Sequence, residues 1–226
     1  MTRVINILLV LFLTSAVFYS QEENKFGIKA GLVFSGMTKF NNDDVIKMTD
    51  EPSFFSFVGM DFGFYRQWFT TRAFSLSTEV HYNVKGEKNI NLIALEPGSS
   101  GATFERKYLS NRFHYISFFL LPRYKFIRSG AGDNFYFFGG PSFDFLISNY
   151  YSVDNEPNLQ VKNFGFGYGA EIGFGVEFMA VTCEFIYNHS FTGPYTFSYG
   201  SGKSRREYNS LEFIAGVALN SLFKKK

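Results

Sequence analysis

A single cysteine, Cys183, stands among the 226 residues. That one thiol excludes an intrachain disulfide framework and a cysteine-built metal site. It also excludes a lipoprotein anchor, because Gln21 and Glu22 occupy the place where such an anchor needs cysteine. A dominant charge is missing too: 22 Lys and Arg against 20 Asp and Glu leave a net charge of +2, which implies no nucleic-acid partner. Past residue 20 no apolar run approaches the roughly 18 residues of a membrane-spanning helix. If the mature chain enters a membrane, helices do not carry it there.

What the sequence does hold is aromatic. It has 31 Phe and 14 Tyr, together with 21 Gly, so Phe and Tyr take the role that Leu fills in most soluble domains. Strands that pack against lipid or end in aromatic girdles carry this bias. The N-terminus reads as a separate segment. Arg3 precedes an apolar stretch from Val4 to Phe18 that is interrupted at Asn6, Thr14 and Ser15. It is short for a membrane span and has the layout of a secretory signal peptide, residues 1–20. Cleavage after Ser20 or after Ala16 fits, and the barrel domain is expected over 21–226.

From there the pattern has period two, which is the signature of strands. Phe26, Ile28, Ala30, Leu32 and Phe34 alternate with Gly27, Lys29, Gly31, Val33 and Ser35. Residues 164–178 alternate most cleanly, with Phe164, Phe166, Tyr168, Ile172 and Phe174 set against Gly165, Gly167, Gly169, Glu171 and Gly173. Similar segments recur near 58–64, 74–85, 116–126, 135–147, 181–188 and 210–219. Most reach the roughly 9–11 residues of a tilted spanning strand. The connections alternate in length. Short ones lie near Gln67–Arg72, Arg128–Asn134 and Met179–Ala180, and long polar ones near Met37–Ser53, Gly86–Lys107, Ser148–Lys162 and Thr192–Glu207. The expected fold is all-β: an eight-stranded antiparallel up-and-down transmembrane β-barrel with short inner turns and long outer loops. An even strand count places both termini on the periplasmic side of an outer membrane.

One face of these strands is large and apolar, while the other mixes glycine with charge. An eight-stranded barrel encloses room only for side chains, so the aromatic face is expected to meet lipid and the glycine-and-charge face to line the lumen. Inward charges need partners. Lys29, Glu79, Arg123, Glu177 and Glu184 fall at similar depth in the inner half, and with Glu171 they form the expected structural charge network of the lumen. The inward acids outnumber the inward bases.

Several short patterns carry a family resemblance. Lys25-Phe26-Gly27-Ile28-Lys29-Ala30-Gly31-Leu32 with Ser35 opens the first strand. Glu79, Tyr82 and Lys85-Gly86 mark the third, Tyr115 to Tyr124 the fourth, Gly140-Pro141 the fifth, and Glu184 with Tyr187 the seventh. In this order the chain resembles the PorT-like outer-membrane barrels of Bacteroidota, themselves similar to small OmpX/OmpA-type barrels. It departs from them at Phe119, where the family has proline, and at Ile186, where the family has a lumen arginine.

No motif commits the chain to catalysis, a cofactor or a metal. His81 is expected to face the lumen in a hydrogen-bonded structural role. His189 and Ser190 sit side by side at the outer end of a strand, which suggests a lipid deacylase, but period two puts them on opposite faces. The acidic Asp43, Asp44, Asp50 and Glu51 and the basic Lys203, Arg205 and Arg206 read as solvated loops, the basic set within reach of lipopolysaccharide phosphates. The function expected is a monomeric, non-enzymatic outer-membrane protein with a structural or interaction role through long extracellular loops. Its surroundings are outer-membrane lipid and lipopolysaccharide, with an extracellular or periplasmic protein partner left open and no nucleic acid. A lipid-modifying enzyme and a narrow solute or ion conduit are the alternatives.

Overall fold

The structure, a computed structural model, describes residues 24–40, 56–71, 73–94, 104–128, 134–153, 156–161, 165–192, 196–199 and 202–222. The N-terminal segment 1–20, its cleavage site, the acidic run 43–51 and the C-terminal lysines lie outside the described residues. No helix among the described residues is long and apolar enough to cross a membrane.

Eight strands make the wall: β1 (Phe26–Phe40), β2 (Phe57–Trp68), β3 (Phe74–Ala94), β4 (Phe104–Arg128), β5 (Asn134–Val153), β7 (Gly165–Phe178), β8 (Val181–Ser190) and β10 (Gly202–Ala218). Each pairs antiparallel with the next, and β10 returns to pair with β1 from Gly27↔Ala218 to Phe40↔Arg206. Closure removes every free edge from the wall. Two short strands, β6 (Glu156–Val161) on β5 and β9 (Thr196–Tyr199) on β10, lengthen hairpins beyond it. A four-residue helix, α1 (Leu219–Leu222), follows β10. Its Asn220 clamps the seam: the Phe26 N–H donates to Asn220 Oδ1 at 3.3 Å, and Asn220 Nδ2 donates to the Asn24 carbonyl at 2.8 Å.

The period-two pattern decides the two faces. Outward residues are exposed, as at Phe64 (60%) and Ile172 (63%), whereas the inward Lys29 and Glu79 are 1% and 3% exposed. The outward rings also pack on one another across strands. Phe126 stacks on Phe137 and Phe185 meets Phe213 edge-on, both with centroids 4.9 Å apart. Along β4 the apolar outward residues run from Ile116 to Phe126. That is about ten steps of about 3.3 Å, tilted by about 40°, or a band about 25 Å tall.

The short turns all lie at the end of the barrel where β1 begins and β10 ends. The β7–β8 turn is only Met179-Ala180, and Met179 takes a left-handed backbone with φ 54°, the geometry a tight hairpin requires. The opposite end departs from expectation. All four segments read as long loops hold paired strand: β1 runs on to Phe40 beside β10. β3 and β4 stay in register as far as Ala94↔Phe104, β5 continues to Val153 beside β6, and β9 pairs with β10. Polarity marks these stretches as loops. It reports contact with water, however, and an antiparallel ladder needs only backbone groups to continue into water.

Inside, glycines make room for large neighbours. A Cβ on Gly63 would stand 2.2 Å from His81 Cδ2, and one on Gly175 would stand 2.6 Å from the Tyr136 ring. Gly63→Ala is therefore expected to cost about 1–3 kcal/mol through overpacking, read as a lower urea midpoint of the barrel refolded in liposomes. An unchanged midpoint would show that His81 does not lie against this wall.

Candidate functional site in the barrel lumen

The lumen is crossed by a chain of charge. Lys29 enters from β1, Glu79 from β3, Arg123 from β4 and Glu184 from β8. The Lys29 ammonium donates to Glu79 Oε2 at 2.7 Å and to Glu184 Oε2 at 2.6 Å. The Arg123 guanidinium lies 2.7 Å from Glu79 Oε1 and 3.0 Å from Glu184 Oε1. Two cations and two carboxylates thus form a square that ties one side of the barrel to the other, with every member buried. Neutral donors complete it: Ser77 Oγ donates to Glu79 at 2.8 Å and Tyr136 O–H donates to Glu184 at 2.6 Å. Arg123 also lies over the rings of Tyr136 and Phe138, 5.0 and 5.5 Å from their centroids.

Glu177 and Glu171 are not in the square. Glu177 pairs with Lys25 nearer the short-turn end. Glu171 receives Asn188 Nδ2 at 3.5 Å. His81 joins the square from the other side, since its Nε2 lies 3.0 Å from Glu79 Oε2 and its Nδ1 lies 2.7 Å from Asp61 Oδ1. Beyond His81 toward the long-strand end the balance turns acidic. Lys85 is 3.9 Å from Glu212 and feels Asp144, Glu171 and Asp61 as well. Asp144 is held by Ser117, which in turn accepts from Asn83 Nδ2 at 2.8 Å.

The inward face is less polar than the glycine-and-charge reading implied. Phe119, Leu121, Tyr136, Phe138, Ile186 and Ile214 form one buried apolar cluster, and Phe113, Tyr115, Leu146 and Tyr208 form a second toward the long-strand end. Each follows the strand parity. Parity alone sets them on the inward face; that they gather into two clusters follows only from the closed wall. Ile186 belongs to the first cluster. These side chains fill the lumen as an eight-stranded interior must be filled.

The His189–Ser190 pair suggested for lipid chemistry does not converge. His189 Nδ1 meets Asn209 Oδ1 at 2.5 Å on the outward side, while Ser190 is buried and donates to the Thr192 carbonyl at 3.0 Å. Among the described residues, no group of His, Cys, Asp and Glu has the arrangement of a metal site.

A closed eight-stranded barrel with an aromatic exterior and a packed, charge-crossed interior is the architecture of a small outer-membrane protein. Residues 19–194 match the family model of the outer membrane protein beta-barrel domain. The chain belongs to that family. As an outer-membrane barrel it sets its aromatic band against lipid, and its buried square lies at membrane depth. No curated protein resembles it closely enough to count as a match. Among solved structures it is similar to the attachment invasion locus protein Ail of Yersinia pestis, at 11% identity and TM-score 0.40, covering 87% of this chain and 99% of that one. It is also similar to Neisserial surface protein A, at 10% identity and TM-score 0.42, covering 88% and 100%. A third is a major outer membrane protein of Thermus thermophilus, at 13% identity and TM-score 0.40, covering 87% and 99%.

Proposed function

We infer that this outer-membrane barrel is a monomeric, non-enzymatic contact protein, a sealed wall that carries paired strands beyond the membrane to meet a partner. The observation that carries this reading is the β3–β4 hairpin, which stays hydrogen-bonded from Gly86↔Arg112 to Ala94↔Phe104, past the apolar band. A paired arm presents a fixed surface and loses less conformational entropy on binding than a slack loop would. The crossed and packed lumen supports a closed wall rather than a conduit. The opposite faces of His189 and Ser190 support a non-enzymatic role.

In this reading both termini and the short turns are periplasmic, and the arms are extracellular. Residues 1–20 act as the export signal. Within the family the sequence resembles the PorT-like barrels of Bacteroidota, but a secretion role does not transfer on fold resemblance.

Two measurements test it. In planar bilayers the purified barrel at micromolar concentration is expected to give no stepwise conductance, and reproducible steps would restore the conduit. A photoactivatable label on Cys introduced at Ser110, in a Cys183→Ser background, is expected to give a discrete crosslinked adduct on intact cells. Labelled arms that yield no adduct in any growth condition would remove the contact role.

A further inference from the structure

The outward face of β3 and β4 changes character just above the lipid-facing band. Below lie Phe118, Leu120 and Tyr82, all exposed. Above them come His114, then Arg112, with Lys88 on the neighbouring strand. Gly86↔Arg112 and Lys88↔Ser110 are register pairs two steps apart with like facing, so the two cations stand as diagonal neighbours on the outer wall.

Among the described residues Arg112 has an aromatic ring beside it and no countercharge. Its guanidinium lies 6.0 Å from the Phe57 ring centroid, and Tyr150 is its direct partner on β5. Phe57 reaches this place because residue 86 is glycine; a Cβ there would stand 2.8 Å from the Phe57 ring. No carboxylate among the described residues pairs with Arg112. His114 is fixed. Tyr82 O–H and His114 Nδ1 are 2.5 Å apart, and the Tyr150 ring packs edge-on against the imidazole at 5.0 Å. With Tyr82 donating, the imidazole proton is on Nε2, which becomes a further donor.

A guanidinium with no countercharge among the described residues and an imidazole N–H, at the top of an apolar band about 25 Å tall, stand at headgroup height. There they can serve a ligand that is anionic at the top and greasy below. Guanidinium binds phosphate through two parallel N–H donors. We propose that Arg112, with His114, holds a phosphate of the outer-leaflet glycolipid, whose acyl chains then lie along Tyr82, Phe118 and Leu120. This rests on the outward direction assigned to the long strands in the proposed function.

The probe is purified bisphosphorylated lipid A, added to the folded barrel in zwitterionic micelles and read by native mass spectrometry. Wild type is expected to hold one lipid A per barrel. Arg112→Gln is expected to weaken it by about tenfold, the loss of one charged hydrogen bond. Arg66→Gln, at the short-turn rim, should bind as wild type does. Dephosphorylated lipid A should bind wild type as weakly as lipid A binds Arg112→Gln, an arm that needs no variant to fold. Equal binding of lipid A by wild type and Arg112→Gln would overturn the proposal, as would equal binding of the dephosphorylated form or of phosphatidylglycerol. Protease cleavage of the β3–β4 arm on intact cells is scored separately. An uncleaved arm counts against the orientation, whereas a cleaved arm with Arg112-independent binding counts against this site alone.

Discussion

Glu79→Leu is expected to lower the unfolding free energy of the liposome-embedded barrel by about 3–5 kcal/mol, the usual cost of removing one partner from a buried ion pair. Glu79 is the hub. It accepts from Lys29, Arg123 and Ser77 and contacts His81. Without it, two buried cations share the single carboxylate of Glu184. The sharper comparison is the double variant Arg123→Leu/Glu79→Leu, which removes one cation with one anion and leaves Lys29 on Glu184 at 2.6 Å. That variant should recover most of the loss, because replacing a whole buried pair by apolar groups is often close to neutral. Urea titration of the three proteins decides it. A double variant as unstable as the sum of its parts would mean that the square does not act as a unit. Its benefit is then register: only one arrangement of the wall brings β1, β3, β4 and β8 together in this way.

The second large effect tests the facing. Ile172 stands midway along the outward residues of β7, between Phe166 and Phe178, and is 63% exposed. Arginine at this depth is expected to cost about 2–4 kcal/mol, while arginine at Phe178, near the rim, should cost about 0–1 kcal/mol. Stability measured in liposomes should show that gradient. In a barrel that packed its aromatics inward, Ile172→Arg would instead disrupt the lumen, and its cost would not track depth in the bilayer.

Much of this protein was legible along the chain because a strand's side chains alternate with a period of two. Lys29, Gly63, Glu79, Arg123, Glu171 and Glu184 share a face by parity alone, and so do Phe62, Phe118, Ile172 and Phe213 on the other. Eight such segments, joined at one end by three turns too short to cross a sheet, leave few topologies besides a meander closed on itself. Parity also separates His189 from Ser190. Depth could be approximated by counting from the short turns, which places the charges of the square near one level.

What counting could not give is who meets whom across the lumen. Glu177 and Glu184 are both inward acids of the inner half, yet Lys25 takes one, while Lys29 and Arg123 take the other. The stagger of the closed wall and the bulk of Tyr136 and Phe138 decide that choice, and neither is a local property. Nor could polarity tell a loop from a strand continuing into water, so the arms past Gly86↔Arg112 and the guanidinium beside a ring at their base emerged only from pairing. The sequence by itself determined the barrel, its facing and its strand count, because these follow from alternation and turn length. The tertiary structure alone decided the square, the filled lumen and the rim of cations, because those contacts exist only once the first and last strands have met.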